Sequence, residues 1–160
     1  MNLLEILNTN PKIQWKQKHH QHFGKFELEG AEFTIQLDEF EVNGKTLVDF
    51  GFVTEGSHLA KEGNKPAAKV IGAVLNGAVP KIKEINPEFI LIAVDKSSGL
   101  VESRKSIYDA LHRLLQRNLD FTYASDWVEN SKAFYKIFGR KQKPSNEEIE
   151  LFLSQVNMKL

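Results

Sequence analysis

The hydrophobic positions alternate with polar ones in the first third of the chain and take helical spacing or form apolar runs further on. Residues 22–29 alternate partly and residues 32–42 alternate clearly, which is typical of strands with one buried face. Asn43-Gly44 then predicts a tight hairpin, because both turn residues must tolerate positive φ. Residues 45–54 form the return strand. These segments predict an antiparallel meander of three strands.

A helical period follows the polar loop at residues 55–65. Pro66 suits the first turn of a helix, where its missing N–H is not needed. Apolar positions at helical spacing then continue as far as Asn86-Pro87, which ends the element. Pro80 lies inside this pattern and predicts a kink or a split, because proline removes a hydrogen bond and clashes with the preceding turn.

The second half of the chain begins with a segment that is apolar on every side, as expected of a central strand covered on both faces. A second helix and two late strands follow, and Ser145 with Glu148 forms a capping box that starts a last helix. In chain order, the strand, helix and two late strands are residues 89–94, 102–117, 120–124 and 133–138.

These elements predict an α+β fold with a mixed sheet and helices on its faces, in the order β-β-β-α-β-α-β-β-α. The strands on either side of the first long helix should be parallel, since a helical crossover joins them. A length of 160 residues predicts one domain, residues 1–160, with a core at 22–138 and a C-terminal helical segment at 139–160.

The composition of the chain argues against several classes of function. The 21 basic and 21 acidic residues give zero net charge, which argues against general binding to nucleic acid or to a membrane surface. A basic run at residues 140–143 is interpreted as a solvated turn, with a local basic patch as the alternative. The absence of cysteine excludes thiol catalysis, disulfides and thiolate zinc sites. With no membrane-length apolar run and no signal-peptide pattern, the expectation is a cytoplasmic protein.

The element order resembles the core of the Gcn5-related N-acetyltransferases over residues 22–138. The likeness rests on that order, on the loop Gly63-Asn64-Lys65-Pro66-Ala67-Ala68 that opens the first long helix, and on Ile107-Tyr108 in the later helix. The resemblance implies that acetyl-CoA would be the cofactor, with its pyrophosphate at the N-terminus of that helix. Tyr108 would be the catalytic general acid that protonates the departing thiolate. The implied cofactor-binding residues are Gly63, Asn64, Lys65, Ala67 and Ala68.

Three departures from the family favour a relative that binds no cofactor. Pro66 removes one donor N–H from the loop, and Val101 stands where the family often has an asparagine seven residues before the tyrosine. The early pair of helices that shapes the family's acceptor site also has no room, because only about 20 residues precede the first predicted strand.

A second resemblance concerns origin. The segments Ala67-Ala68-Lys69-Val70-Ile71, Pro87-Glu88-Phe89-Ile90 and Ser103-Arg104-Lys105-Ser106-Ile107-Tyr108-Asp109 are similar to small tailed-phage proteins of unassigned function. The resemblance implies a phage or prophage origin. The location would then be the cytoplasm of the bacterial host, or the virion.

Several side chains have a structural and a functional interpretation. In the structural interpretation, Ser103 caps the start of its helix and Arg104 is solvated. In the functional one, both residues form an anion-binding site there. Tyr108 is either a buried tyrosine with one hydroxyl partner or the implied acid. His112 is interpreted as packing, and the lone His58 is a weak general-base candidate.

The cluster of His19, His20 and His22 is interpreted as a solvated strand start, and the expected metal content is none. The alternative places His20 and His22 on one strand face with a third ligand, Glu41 or Asp49, from a neighbouring strand.

The sequence therefore favours a non-catalytic phage-type protein that acts in assembly or in binding a host factor, with a protein partner and no cofactor. The alternative is an acetyl-CoA-dependent N-acetyltransferase. Space beside Ala93 in the central strand distinguishes the two. An open cleft there favours the enzyme, whereas a cleft filled by Trp127 or Phe134 favours the non-catalytic protein. The oligomeric state stays open.

Overall fold

The computed structural model describes residues 12–28, 30–54, 64–96 and 101–157. The described part is α+β, with eight strands and three helices. The strands are β1 (Gln14–Lys18), β2 (Gln21–Leu28), β3 (Ala31–Val42), β4 (Lys45–Thr54), β5 (Phe89–Asp95), β6 (Tyr123–Ala124), β7 (Val128–Glu129) and β8 (Ala133–Gly139). The helices are α1 (Asn64–Ile85), α2 (Val101–Leu119) and α3 (Asn146–Asn157).

The strands form one mixed, mostly antiparallel sheet in the order β1-β2-β3-β4-β5-β8-β6, with β7 also paired to β8. The predicted parallel relation across the first long helix is confirmed, because β4 and β5 pair in parallel. The predicted strand count was too low. It lacked β1 and β7, so the observed order is β-β-β-β-α-β-α-β-β-β-α.

Two local predictions can be compared directly with the backbone. Asn43 and Gly44 have φ values of 52° and 75°, so the tight hairpin turn between β3 and β4 is confirmed. Of the two outcomes predicted at Pro80, a kink or a split, the split does not occur, since the 22-residue helix α1 continues through Pro80. The apolar stripe of α1 is buried on both sides of the proline, at Ala78 and Ile82, and this packing stabilises the helix.

The chain divides into two compact units, and β3 and β4 contribute residues to both. The first unit comprises residues 1–37 and 51–85. In it, β1 and β2 form an antiparallel hairpin in which Trp15 lies opposite Gly24. Phe26 and Phe33 stack with ring centroids 5.4 Å apart, and both are buried.

The second unit comprises residues 38–50 and 86–160. Its core lies between one face of the sheet and α3, whose Phe152 packs against Phe89 at 5.1 Å between ring centroids. The last helix thus packs on its own chain. The buried residues of this core are Val42, Leu47, Phe89, Leu91, Ala133, Tyr135, Ile137, Ile149 and Phe152.

The start of α3 confirms the predicted capping box. The Glu148 amide donates to the Ser145 hydroxyl at 3.1 Å, and the Ser145 amide donates to the Glu148 carboxylate at 3.0 Å. Within the described ranges, no helix has both the length and the apolar character needed to cross a membrane.

Candidate functional site

One polar group in the second unit with an altered environment is the carboxylate of Asp49 on β4. Asp49 lies between the buried residues Val48 and Phe50 and pairs with Leu91 of the parallel strand β5. Side chains directly opposite each other on neighbouring strands share a face of the sheet. The half-buried carboxylate of Asp49 therefore lies on the face that carries Leu47, Leu91 and the core under α3.

This face opens to solvent at Ala93. Ala93 shares the face of Leu91 because side chains alternate along a strand. It is exposed, although every neighbour from Phe89 to Val94 is buried. On its other side Ala93 pairs with Tyr135 of β8, whose hydroxyl accepts a hydrogen bond from the Asn130 amide at 3.2 Å.

Burial raises the pKa of Asp49 to about 6. A carboxylate in a low-dielectric site holds its proton more tightly, because the charged form loses hydration. A pKa near the working pH suits a general base, which must be ionised yet still take a proton readily. Asp49 is thus the side chain in the described residues whose environment best fits proton transfer.

Trp127 and Phe134 do not fill the space beside Ala93. Phe134 pairs with Val94, so it lies on the opposite face of the sheet from Ala93. There the ammonium group of Lys105 lies 3.7 Å from the Phe134 ring centroid and 5.5 Å from that of Trp127.

The sequence-predicted cofactor residues lie at the start of α1, except Gly63, which is outside the described residues. Asn64, Lys65, Ala67 and Ala68 form the first turn of the helix. The first four N–H groups of a helix have no partner within it, and here proline at position 66 lacks one of the four. The backbone can therefore offer three donors to an anion at this end.

The other predicted residues lie on α2. Ser103 and Arg104 belong to its first turn, and their side chains are outside the described part of the chain. Tyr108 is half-buried in the same helix. Further along, His112 stacks on Phe138 at 4.5 Å between centroids and hydrogen-bonds the Phe121 carbonyl at 3.0 Å, which agrees with its interpretation as packing.

The histidine cluster does not have the geometry of the proposed metal site. His19 and His20 form the exposed turn between β1 and β2, with His19 at a φ of 56°, whereas His22 is buried within β2. The idea that His20 and His22 share a strand face was therefore wrong. No group of three metal-ligating side chains occurs in the described residues, and His58 lies outside them.

Sequence reasoning considered Asp49 only as a third ligand for that metal. A usable signal was present, because Asp49 interrupts the run Leu47-Val48-Asp49-Phe50 in a strand that precedes a crossover helix. A carboxylate between apolar neighbours in a strand is at least partly buried. Burial disfavours its charged form and so alters its pKa.

No protein-family model matches the chain, and no curated protein matches it significantly.

Proposed function

We propose that the protein is an acetyl-CoA-dependent N-acetyltransferase in which Asp49 accepts a proton from the amine acceptor. The observation that carries the proposal is the half-buried carboxylate with a pKa of about 6 on the sheet face that is exposed at Ala93. An ammonium group must lose a proton before its nitrogen can attack an acyl group. Acetyl-CoA supplies the activated acyl group when it is bound, and Asp49 supplies the base.

The sheet supports this proposal. A run of antiparallel strands leads through α1 to a parallel partner, β5, and β8 then inserts between β5 and β6. An antiparallel run followed by a helix and a parallel strand is the arrangement that the family resemblance implies. The base would lie on the strand before the crossover helix, where Asp49 pairs with Leu91 in the parallel register.

The start of α1 fits an anionic group in part. Its three N–H groups and the positive end of a 22-residue helix favour a phosphate there, and Lys65 adds a positive charge. Pro66 reduces the number of donors. Tyr108 on α2 remains the proposed general acid, as the resemblance implies, and would give its proton to the departing thiolate.

A second candidate is the non-catalytic phage-type protein that acts in assembly or in binding a host factor. It is favoured by the first strands of the chain. Residues 12–28 and 30–54 form only strands and turns, and β1 and β2 are joined by a turn of two residues. The helices that shape the acceptor site in the family have no counterpart in this described segment.

Calorimetric titration with acetyl-CoA tests cofactor binding, with the Gly63→Trp variant beside the wild type. The enzyme proposal expects saturable binding that the bulky side chain at position 63 abolishes. Acetyl transfer to a panel of amines then tests catalysis. We expect Asp49→Asn to lower kcat by about 10²–10⁴-fold and to leave acetyl-CoA affinity unchanged.

Asp126→Asn is the matched control, because Asp126 is an exposed aspartate for which no catalytic part is proposed. Tyr108→Phe should also lower kcat, with affinity kept. Absence of binding at millimolar acetyl-CoA would reject the enzyme. Binding without turnover of any amine would reject the reaction and leave acetyl-CoA as a ligand, so only the absence of binding would favour the second candidate.

A further inference from the structure

The hairpin formed by β1 and β2 has one face that differs from the rest of this electrically neutral chain. The strand register pairs Gln14 with Lys25, Lys16 with Phe23 and Lys18 with Gln21. Alternation along each strand places these pairs on one face and the pairs Trp15–Gly24 and Gln17–His22 on the other. We call the first set the basic face: Gln14, Lys16, Lys18, Gln21, Phe23 and Lys25. The exposed Glu27 of β2 continues this face past its pairing with β1.

The two faces have opposite environments. Gly24 and His22 are buried, and a Cβ atom on Gly24 would lie only 2.9 Å from the Trp15 ring, so that face belongs to the interior of the first unit. On the basic face all three lysines are exposed, and Phe23 is half-buried among them. The basic face is therefore directed to solvent.

The charge of this segment is strongly one-sided. From residue 6 to residue 26 the chain has no aspartate or glutamate. The same stretch contains four lysines, which are Lys12 and the three lysines of the basic face. Glu32 contacts Lys25 at 4.0 Å between exposed side chains. Such an exposed pair is weak, because water screens it, so Lys25 can exchange Glu32 for a phosphate.

We infer that the basic face of the β1–β2 hairpin binds single-stranded nucleic acid. Side chains two positions apart on a strand lie about 7 Å apart, so Lys16 and Lys18 can follow a phosphate backbone. Phe23 lies opposite Lys16 and presents part of a ring on which a base can stack. The other glutamines and lysines of the face offer further hydrogen-bond donors.

The chemistry favours nucleic acid over an acidic protein because of Phe23. A purely electrostatic partner needs only the ammonium groups, whereas an aromatic ring centred among lysines on an open antiparallel sheet is the arrangement that binds bases and phosphates together. Zero net charge of the chain conceals this face, whose positive charge comes from Lys16, Lys18 and Lys25, while Glu27 and Glu32 lie at its Lys25 end. The inference is independent of the proposed acetyl transfer, which uses residues of other strands.

Fluorescence anisotropy with labelled oligothymidylate tests the inference on the full chain. We expect saturable binding that weakens as salt rises. Lys16→Gln/Lys18→Gln should reduce the slope of log K against log salt by about 1.4, since each phosphate contact in a single strand contributes about 0.7. Phe23→Leu keeps an apolar side chain and should weaken binding about fivefold or more at constant slope.

Lys132→Gln/Lys141→Gln is the matched control, because it removes two exposed lysines from the other unit. It should leave affinity and slope unchanged, and circular dichroism should report the same fold for every variant. Equal losses in the control and test variants would overturn the inference. So would competition by polyglutamate as effective as competition by unlabelled oligothymidylate, since that result would mean that charge alone governs binding. Absence of oligothymidylate binding at low salt would also reject it.

Discussion

Lys45 of β4 donates a hydrogen bond to Glu148 of α3 at 2.8 Å between Nζ and Oε2, and the two residues are 103 positions apart in the sequence. The same ammonium group lies 5.6 Å from the centroid of the Phe89 ring. The side chains of Lys45 and Glu148 are 30% and 15% exposed, so water screens this ion pair less than it screens a fully exposed one. The pair ties the last helix to the sheet.

Glu148→Ala should destabilise the protein by about 1–2 kcal/mol, because it removes both the reciprocal cap of α3 and the partner of Lys45. Urea denaturation of the variant and the wild type measures the difference. Glu147→Ala is the control, since Glu147 is an exposed acid in the same first turn. A loss of stability in the control as large as in Glu148→Ala would contradict the assignment.

The Glu148 contacts also predict how stability depends on pH. Burial raises the pKa of Glu148, but hydrogen bonds from Lys45 and Ser145 and the charge of Lys45 outweigh it, so the pKa is lowered from 4.5. A carboxyl with a lowered pKa in the folded state stabilises the fold above its unfolded pKa. Wild-type stability should therefore fall as pH decreases below 4.5, and Glu148→Ala should lose part of this dependence.

Asp49 predicts the opposite dependence of stability on pH. Its folded pKa of about 6 exceeds the ordinary value of 3.8, so the folded state binds more protons between these pH values and its stability falls as pH rises from 3.8 to 6. Asp49→Asn should be more stable than the wild type above pH 6, on the order of 1–3 kcal/mol, and nearly equal to it below pH 4. Denaturant titrations at several pH values test this. A constant difference across the range would rule out the raised pKa.

Gly139 predicts a steric effect at the end of β8. A Cβ atom there would overlap the backbone carbonyl of Gln142 and press on the Phe89 ring. Because a backbone carbonyl cannot rotate away as a side chain can, Gly139→Ala should cost about 2 kcal/mol or more. The control is Gly51→Ala, which places its methyl group in open space. Thermal unfolding of both variants should show a large decrease in Tm only for position 139.

His112 offers a spectroscopic check of the packing between α2 and the sheet. Burial lowers the pKa of His112 from 6.5, with the hydrogen bond to Phe121 acting in the opposite direction and the charge of Lys136 acting with burial. Its imidazole should therefore titrate below pH 6.5 in proton NMR. Stability that depends on His112 is present above pH 6.5 and is lost as pH falls, because the fold favours the neutral ring.

Most of the elements were predictable because their signals are local. The Asn43-Gly44 turn, the Ser145 capping box and the apolar segment of β5 each occupy a few consecutive residues, and all three are confirmed. The strand β1 was missed because Gln14–Lys18 has only one apolar side chain, Trp15. Its backbone is paired along one edge of the sheet, which a hydrophobic pattern does not reveal.

The candidate site was harder to predict than the elements. The sequence pointed to the start of α1 and to Tyr108 because a family resemblance singled them out. Asp49 emerged only when the register placed it opposite Leu91 and burial raised its pKa. The basic face likewise depends on which residues of β1 and β2 are opposite each other, since a shift by one residue would exchange Lys16 for Trp15 on that face.

By itself, the sequence determined the class of the fold, the main helices and strands and the parallel crossover, because periodicity, turn chemistry and capping act over short stretches of chain. Only the tertiary structure decided that β8 lies between β5 and β6, that α3 packs on its own core, that Pro80 is accommodated within α1, and that Ala93 is exposed in a buried strand. These features arise from contacts between residues far apart in sequence. Their free energy depends on burial and pairing, which no local pattern specifies.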